Sequence, residues 1–304
     1  MQKKIKMLGR ACPVCSSRKD SDVFAEENFD PGQLDDYSFA SRKFPELMHY
    51  RLIICPQCEL LYANPIPTLK SLSTAYHEAA FDSSEEARYA ARTYGLFLPS
   101  LKQKICDTVG ALDIGTGDGA FLGELLGMGF TGVKGVEPSL APIKAAKPDI
   151  RPLIRHGFFK PKYYQRNSLS LVTCFQTFEH LYEPLEMCRG AYQILKKEGA
   201  FFAVCHNRLS LSARLLGMKS PIFDIEHLQL FSPKSARAMM EKAGFTQVEV
   251  RKILNTYPLH YWLKLLPLPR KFKSSLMKLL KIIGIGYLPI PLPAGNMAVI
   301  GFKK

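Results

Sequence analysis

The chain has no long apolar run and, in its last part, no acidic residue. No stretch of about 18 or more consecutive apolar residues occurs, so the sequence predicts no membrane-spanning helix. The basic start of the chain lacks the apolar segment of a secretory signal, and we therefore expect a cytoplasmic protein. Residues 251–304 contain ten Lys or Arg residues and no Asp or Glu. A segment with only positive charge indicates an anionic partner: nucleic acid, a membrane surface or an acidic substrate.

The rest of the composition is that of a globular protein. Hydrophobic residues make up 47% of the 304 residues and charged residues 22%, which excludes a disordered chain. This length is sufficient for one substantial core plus a smaller module. The formal net charge is +14, and the ten basic residues of the acid-free segment account for most of it.

Four of the eight cysteines form two Cys-x-x-Cys pairs, Cys12 with Cys15 and Cys55 with Cys58. Each pair directs two thiolates at one ion, and two pairs complete the four-sulfur shell of structural zinc. Disulfides are disfavoured in the cytoplasm, and four thiolates leave no position for water or substrate. The sequence therefore predicts a structural zinc site. The other four cysteines have apolar neighbours and are predicted to be buried: Cys106, Cys174, Cys188 and Cys205.

Three glycines at alternate positions follow a strand-like apolar run over 109–114. They are Gly115, Gly117 and Gly119. A turn without Cβ atoms can adopt left-handed conformations and lie directly against a ligand. The run also fits the fingerprint of a nicotinamide dinucleotide site, so the glycines alone leave two cofactors open.

Two acidic residues near the glycines favour S-adenosylmethionine. Asp113 precedes the first glycine by two positions, where it would face the cationic end of a sulfonium amino acid. Glu137 ends the next apolar run, 18 residues after the last glycine, and its carboxylate would reach a ribose diol. The third glycine at the alternate position also favours a ligand that lies across the turn.

Strand-like runs alternate with helical patterns through the second half of the chain. This alternation predicts an α/β fold, a parallel sheet with helices on both faces. A helical connector over 69–107, broken at Pro99, precedes it. The strand-like runs are 109–114, 132–137, 152–155, 169–175, 199–205, 247–253 and 296–302.

These motifs, in this order, resemble the class I S-adenosylmethionine-dependent methyltransferases over roughly residues 85–304. The run 112–120 resembles the first motif of that family, and 169–184 resembles its fourth-strand motif. Residues 51–67 resemble the zinc-binding module found before some sugar and polyketide-like methyltransferase domains. The resemblance implies a Rossmann-like, seven-stranded, mostly parallel sheet with an antiparallel last strand, plus a small N-terminal zinc-ribbon-like module.

The expected organisation has three parts. A zinc-binding module spans 1–67, a helical connector spans 68–108, and the S-adenosylmethionine-binding domain spans 109–304. The domain carries a basic insertion at about 254–295, with leucines and lysines at helical spacing. Two interpretations stay open: a helical pair that caps the sheet edge, and an amphipathic lid that contacts an anionic membrane or a lipid-linked substrate.

The resemblance also implies roles for individual residues. Asp113 and the first two glycines border the methionine part of the cofactor, and Glu137 binds the ribose. Phe158 lies where the family holds adenine, and the residues after strand four line the methionine side. The predicted cofactor-binding residues are Asp113, Gly115, Gly117, Gly119, Glu137, Phe158, Gln176 and Thr177.

Two histidines are candidates for the base that deprotonates the methyl acceptor. His180 ranks first because it follows strand four, at the sheet edge where α/β proteins bind ligands. His227 ranks second and His206 third. Imidazole titrates near neutrality and can accept a proton there. The alternative interpretation is that His180 packs against its loop and that His227 only fixes its own loop through a hydrogen bond.

The leading functional hypothesis is methyl transfer to a small molecule, such as a nucleotide-linked sugar or a glycan- or lipid-linked precursor. The alternative is an RNA methyltransferase whose zinc module and basic tail bind RNA. The run 176–179 lacks the Asn/Asp-Pro-Pro-aromatic pattern of many base-amino methyltransferases. A non-catalytic binding protein of the same fold is a second alternative.

Overall fold

The computed structural model describes residues 6–19, 21–30, 46–72, 84–266 and 268–304. Within them the strands are β1 (Met7–Leu8), β2 (Asp22–Ala25), β3 (Leu52–Ile54), β4 (Leu61–Ala63), β5 (Ile66–Pro67), β6 (Val109–Ile114), β7 (Thr131–Glu137), β8 (Ile154–His156), β9 (Leu169–Phe175), β10 (Leu195–His206), β11 (Gln229–Leu230), β12 (Thr246–Lys252), β13 (Asn255–Pro258), β14 (Pro289–Leu292) and β15 (Asn296–Phe302). The α-helices are α1 (Ser84–Gly95), α2 (Leu98–Lys102), α3 (Ala120–Gly127), α4 (Leu140–Ala145), α5 (Pro184–Ile194), α6 (Leu211–Leu216), α7 (Pro233–Lys242), α8 (Leu259–Leu265) and α9 (Arg270–Ile282).

The main sheet has seven strands in the order β12-β15-β10-β9-β6-β7-β8. Strand β15 is antiparallel to both of its neighbours, whereas the five strands from β10 to β8 are parallel. This arrangement confirms the predicted fold class. The register places Asp113 of β6 beside Thr173 of β9, which later matters for the site.

The central strands read as continuous apolar runs because both of their faces are buried. In β10, Phe201 belongs to the core on one face of the sheet and Phe202 to the core on the other. Both rings are fully buried. Alternate side chains point to opposite faces of a strand, so this single run fills both helix-covered layers.

The N-terminal module is joined to the main domain by a shared sheet. Strands β2, β3 and β4 pair in sequence, and β11 from the later part of the chain adds to β4. Arg10 strengthens the junction, since its guanidinium donates to the carbonyl oxygens of Ala63 at 3.1 Å and Leu228 at 2.7 Å. The module therefore packs directly on the segment that precedes α7.

The helical connector is interrupted ahead of Pro99, as expected: α1 ends at Gly95 and α2 begins at Leu98, with Pro99 in its first turn, where its missing N–H costs nothing. Two other local predictions need correction. The strand predicted over 152–155 is Ile154–His156, because a 3-10 turn occupies Arg151–Leu153. Cys106 is exposed and not buried.

The insertion contains more than a helical pair. Helices α8 and α9 lie between β13 and β14, which pair with each other in antiparallel register and close the base of the insertion. In the described residues no helix is long and apolar enough to cross a membrane. Residues 73–83 of the expected connector lie outside the described part, and the proposed domain boundaries stay predictions.

Candidate active site

A large cavity lies at the carboxyl ends of the parallel strands β6, β7 and β9. Its volume is about 1240 Å³, above the roughly 300–1,000 Å³ typical of a pocket for one small ligand. One half is polar and is formed by the strand ends and the glycine turn. The other half is largely apolar and is formed by helices and by the insertion. The cavity can therefore hold two reactants side by side.

The glycine turn forms the floor of the polar half. Gly115 and Gly117 have left-handed φ angles of +72° and +58°, which side-chain-bearing residues rarely adopt. A Cβ on Gly115 would clash with the Thr177 side chain, whereas a Cβ on Gly117 would meet nothing within 4 Å. The space beside Gly117 is therefore open for a ligand to lie against the backbone.

Gly119 is the one predicted cofactor-binding residue that lies outside the cavity lining. A Cβ there would clash with Ile150 and approach Ile154. Gly119 is the N-cap residue of α3 and has a left-handed φ of +74°. The third glycine therefore permits close packing of the turn on the neighbouring segment, and its contact with the cofactor stays a prediction.

Glu137 connects the end of β7 to the glycine turn. Its two carboxylate oxygens accept backbone N–H bonds from Gly117 and Ser139, each at 2.9 Å. Burial raises the pKa of Glu137 to about 6. A carboxylate has about four acceptor sites, so Glu137 can still accept hydroxyl hydrogens from a ribose.

Asp113 lies at the end of β6 and is buried. The hydroxyl of Thr173 donates to its Oδ1 at 2.6 Å, and burial raises the pKa of Asp113 to about 6. Two carboxylates in one half of the cavity favour a cationic ligand. The sulfonium and ammonium groups of S-adenosylmethionine meet that requirement.

The remaining predicted donor-site residues also line the cavity. Phe158 is half exposed at its edge, and Thr177 lies next to Gly115. Gln176 has a left-handed φ of 49°, and its buried side-chain nitrogen has no hydrogen-bond partner among the described residues. A buried donor without a partner is costly, so this amide is suited to a ligand carboxylate. The residues present therefore fit the cofactor.

The candidate bases His180 and His227 come together on the opposite side of the cavity, with ring centroids 4.9 Å apart. Nδ1 of His227 donates to the carbonyl oxygen of Ile222 at 2.8 Å. Nδ1 of His180 donates to the backbone carbonyl oxygen of Glu226 at 3.1 Å. Because a carbonyl only accepts, Nε2 carries the lone pair in each neutral ring.

Glu226 is the residue of this cluster that the sequence did not single out. Its carboxylate oxygens lie 3.7 Å from Nδ1 of His180 and 3.9 Å from Nε2 of His227. The three side chains offer metal-ligand atoms within 4.8 Å of one another, so the cluster can exchange a proton or bind a cation. Its signal in the sequence was adjacency to His227.

His206, the third candidate base, is held neutral. Its Nδ1 donates to Oδ1 of Asn296 at 2.8 Å, and burial lowers the pKa of His206 to about 4. Its ring centroid is 5.2 Å from that of His227. A group with so low a pKa is a poor proton acceptor at neutral pH.

A family model described as "Methyltransferase domain" matches residues 83–250, which is more than half of the chain. The chain belongs to this methyltransferase family. Together with the confirmed sheet, this makes it a class I enzyme with S-adenosylmethionine as methyl donor. The non-catalytic alternative is therefore set aside. No curated protein matches the chain.

Solved structures with similarity to the methyltransferase are distant in sequence. A methyltransferase from Thermotoga maritima, described as a possible histamine N-methyltransferase, is 21% identical, with a TM-score of 0.48, over 72% of this chain and 91% of that one. Geranyl diphosphate C-methyltransferase from Streptomyces coelicolor is 13% identical, with a TM-score of 0.47, over 70% and 79%. Phosphoethanolamine N-methyltransferase 2 from Haemonchus contortus is 16% identical, with a TM-score of 0.45, over 80% and 62%.

The four predicted zinc ligands of the methyltransferase lie together, away from the cavity. The Sγ atoms of Cys12 and Cys58 are 3.5 Å apart, and those of Cys15 and Cys55 are 3.3 Å apart. All four lie within 4.8 Å of one another, close to the spacing that a tetrahedral ion with Zn–S bonds of about 2.3 Å requires. The cluster fits structural zinc.

Each zinc-binding pair closes with the same turn. Ser16 and Glu59, which follow the second cysteine of each pair, have left-handed φ angles of 61° and 65°. Their N–H groups donate to the carbonyl oxygens of Cys12 and Cys55 at 2.8 and 3.0 Å. The two halves of the site are therefore equivalent in backbone geometry, although 39 residues separate them in the chain.

The apolar half of the cavity is the part that the sequence did not predict. It is formed by side chains from α1, α6 and the insertion. The leucines of α6 at helical spacing were the available signal, but nothing local placed them next to the donor site. The lining residues on this side include Tyr94, Leu211, Leu215, Leu216, Tyr257, Trp262, Leu263, Leu266 and Leu292.

Proposed function

We propose that the methyl acceptor is a small molecule, that it binds in the apolar half of the cavity, and that His227 takes its proton. When bound, S-adenosylmethionine supplies an electrophilic methyl group. The chain's own residues then have to orient the acceptor, exclude water and accept the proton that the acceptor loses. The position of Nε2 of His227 beside Glu226 carries this proposal.

The charge on Glu226 acts on both candidate bases, and it lies directly beside the accepting nitrogen of His227. A proton taken up at Nε2 of His227 would lie 3.9 Å from the Glu226 carboxylate, and an opposite charge at that distance favours the protonated ring. In His180 the nitrogen near Glu226 is Nδ1, so the carboxylate also favours protonation of that ring at its other nitrogen, as in a catalytic triad. His180 therefore stays the alternative base within the same cluster, and the matched variants below distinguish the two histidines.

The lining also bears on the kind of acceptor. Lys160 is the only Lys or Arg among the described residues that line the cavity. A nucleotide or RNA acceptor would bring several phosphates, and phosphates are usually bound by more than one cation. The apolar wall favours an acceptor with a hydrophobic part over the nucleotide-linked sugar or the RNA substrate.

A single pair of variants tests the proposed base. We expect His227→Asn to lower methyl transfer by about 100- to 10,000-fold and to leave S-adenosylmethionine affinity unchanged in calorimetry. Transfer is measured by mass spectrometry as a +CH2 product in a metabolite extract incubated with the methyl donor. His180→Asn, the matched control, should show a smaller loss.

Two results would overturn the assignment. Full turnover by His227→Asn with intact cofactor binding would remove His227 as the base. A labelled methyl group found in RNA, with none in the metabolite extract, would establish the RNA methyltransferase instead.

A further inference from the structure

The insertion exposes an unusual number of large apolar side chains. Phe272 and Leu279 lie on one face of α9, and Ile283, the residue that caps its carboxyl end, continues the same spacing; the three are 59%, 53% and 53% exposed. Ile282 beside them is 72% exposed, and Leu288 just beyond the helix is 52% exposed. Soluble proteins seldom expose such an apolar row without a binding partner. We call these five residues the docking face.

The insertion that carries the docking face contributes positive charge and no acid of its own. Residues 254–295 contain six Lys or Arg residues and no Asp or Glu. Lys271 and Lys278 are exposed on α9 next to the apolar row. Lys278 and Lys281 also border a shallow depression together with Tyr287. An apolar stripe flanked by lysines is the pattern of a helix that lies in the interface of an anionic bilayer.

One lysine holds α9 in place. Lys273 is buried, and its ammonium group donates to the carbonyl oxygens of Lys264 at 2.9 Å and Leu266 at 3.0 Å. These carbonyls lie at the carboxyl end of α8, where a cation also interacts favourably with the helix dipole. The bond fixes α9 against α8, with the docking face turned outward.

The apolar half of the cavity is lined in part by the same insertion that carries the docking face. Leu263 and Leu266 of the α8 region and Leu292 of β14 line its apolar half. Leu211 and Leu215 of α6 also line it, yet they are 71% and 76% exposed. The apolar wall of the cavity therefore continues to an open apolar edge, built from the insertion and α6.

We infer that the insertion docks the methyltransferase on an anionic lipid bilayer and that the acceptor is an amphiphile that enters the cavity from that bilayer. The apolar side chains of the docking face enter the headgroup region, and the lysines contact lipid phosphates. The acceptor's hydrophobic chain follows the leucine-lined edge into the cavity. The part about the acceptor rests on the proposed function; the docking itself does not.

Sedimentation with vesicles tests the docking of the full chain. We expect about tenfold tighter binding to vesicles of phosphatidylcholine with phosphatidylglycerol than to phosphatidylcholine alone, and loss of that difference at high salt. Equal binding to both vesicles, or no binding to either, would overturn the docking.

Matched variants locate the contact. Leu279→Glu combined with Ile282→Glu should abolish vesicle binding, whereas Leu126→Glu, at an exposed leucine of α3 away from the cavity, should not. Lys271→Glu with Lys278→Glu should weaken vesicle binding, and Lys242→Glu, on the exposed face of α7, should not.

Unchanged vesicle binding by the α9 variants would contradict the inference. A dimer in lipid-free solution that Leu279→Glu dissociates would show instead that the face joins two copies of the chain.

Calorimetry separates failure of this inference from failure of the proposed function. The docking variants should bind S-adenosylmethionine as the wild type does, since none of their residues lines the cavity. Lipid and water-soluble fractions of a cell extract are then incubated separately with enzyme and methyl donor. A +CH2 product is expected in the lipid fraction. A product in the water-soluble fraction alone would reject the amphiphilic acceptor and leave the methyltransferase itself intact.

Discussion

The two halves of the cavity are built in different ways. The donor half is formed by strand ends and a turn that all come from residues 113–177, and within it the Glu137 carboxylate accepts from the N–H groups of Gly117 and Ser139 at 2.9 Å. The acceptor half is assembled from α1, α6, the insertion and the loop that carries His227. Because one continuous stretch of the chain builds the donor half, the segments that build the acceptor half can differ between proteins without altering the donor site. This explains how one architecture serves many acceptors.

The loop that carries the proposed base depends on the zinc module. Leu228, the residue after His227, accepts from the N–H of Ala63 at 2.9 Å and from Arg10 at 2.7 Å. Its own N–H donates to the carbonyl oxygen of Glu179 at 2.8 Å. The module and the loop after β9 therefore hold this segment between them. Among the described residues the module makes no such hydrogen bond to the glycine turn or to Glu137, although it shares a buried core with Leu112, Ile114 and Val136.

The largest loss of donor affinity is expected from a substitution in the glycine turn. Gly115→Ala would place a Cβ against the Thr177 side chain at a left-handed φ, so we expect affinity for S-adenosylmethionine to fall about 100-fold or more. Gly217→Ala is the control, because Gly217 is also left-handed but has open space around it. Calorimetry that shows equal affinity for the two variants would refute this account of the turn.

Breaking the zinc site should affect the acceptor half alone. We expect Cys55→Ser to weaken zinc binding and to lower methyl transfer about 10- to 100-fold, because the His227 loop loses its support. Donor affinity should stay within about twofold of the wild type, since local contacts hold that half. Cys106→Ser, at an exposed cysteine, is the control. Parallel loss of donor affinity and transfer would contradict the division into two halves.

Lowering the pH should weaken binding of S-adenosylmethionine in the donor half. Burial raises the pKa values of Asp113 and Glu137 to about 6. Above that pH both carboxylates are ionised and attract a cationic ligand, and below it they are increasingly neutral. We expect affinity for S-adenosylmethionine to fall about tenfold from pH 7 to pH 5. Glu137→Gln should bind more weakly at pH 7 and show a flatter profile. A wild-type profile flat from pH 7 to pH 5 would exclude this dependence.

The smallest effect is expected at the aromatic wall of the acceptor half. Trp262 lines the cavity, and its Nε1 donates to the carbonyl oxygen of Ile290 at 2.9 Å. Trp262→Ala should raise the acceptor KM about three- to tenfold through lost apolar contact and leave donor affinity unchanged. Trp262→Phe keeps a ring and should lie between the two. An unchanged KM in Trp262→Ala would place the acceptor elsewhere in the cavity.

Much of the donor half could be read from the sequence. Periodicity located strands β6, β7, β9 and β15 to within about one residue of their observed bounds, and the structure brings seven of the eight predicted cofactor-binding residues to the cavity. Gly119 is the exception, because a glycine needed for packing looks the same in a sequence as one needed for a ligand. The short strand β8 was also misplaced, since three residues carry too little periodicity.

The sequence by itself determined the cofactor and the metal. Both sites use residues at fixed short spacings, and a strand end, a turn or a Cys-x-x-Cys pair has much the same geometry in any fold. Only the tertiary structure decided which histidine has a carboxylate beside its unprotonated nitrogen, and which leucines form the acceptor wall. The contact of His180 with Glu226 and the acceptor wall join segments that are distant in the chain, as the hydrogen bond from Arg10 to Leu228 does across 218 residues, and no local pattern records such contacts.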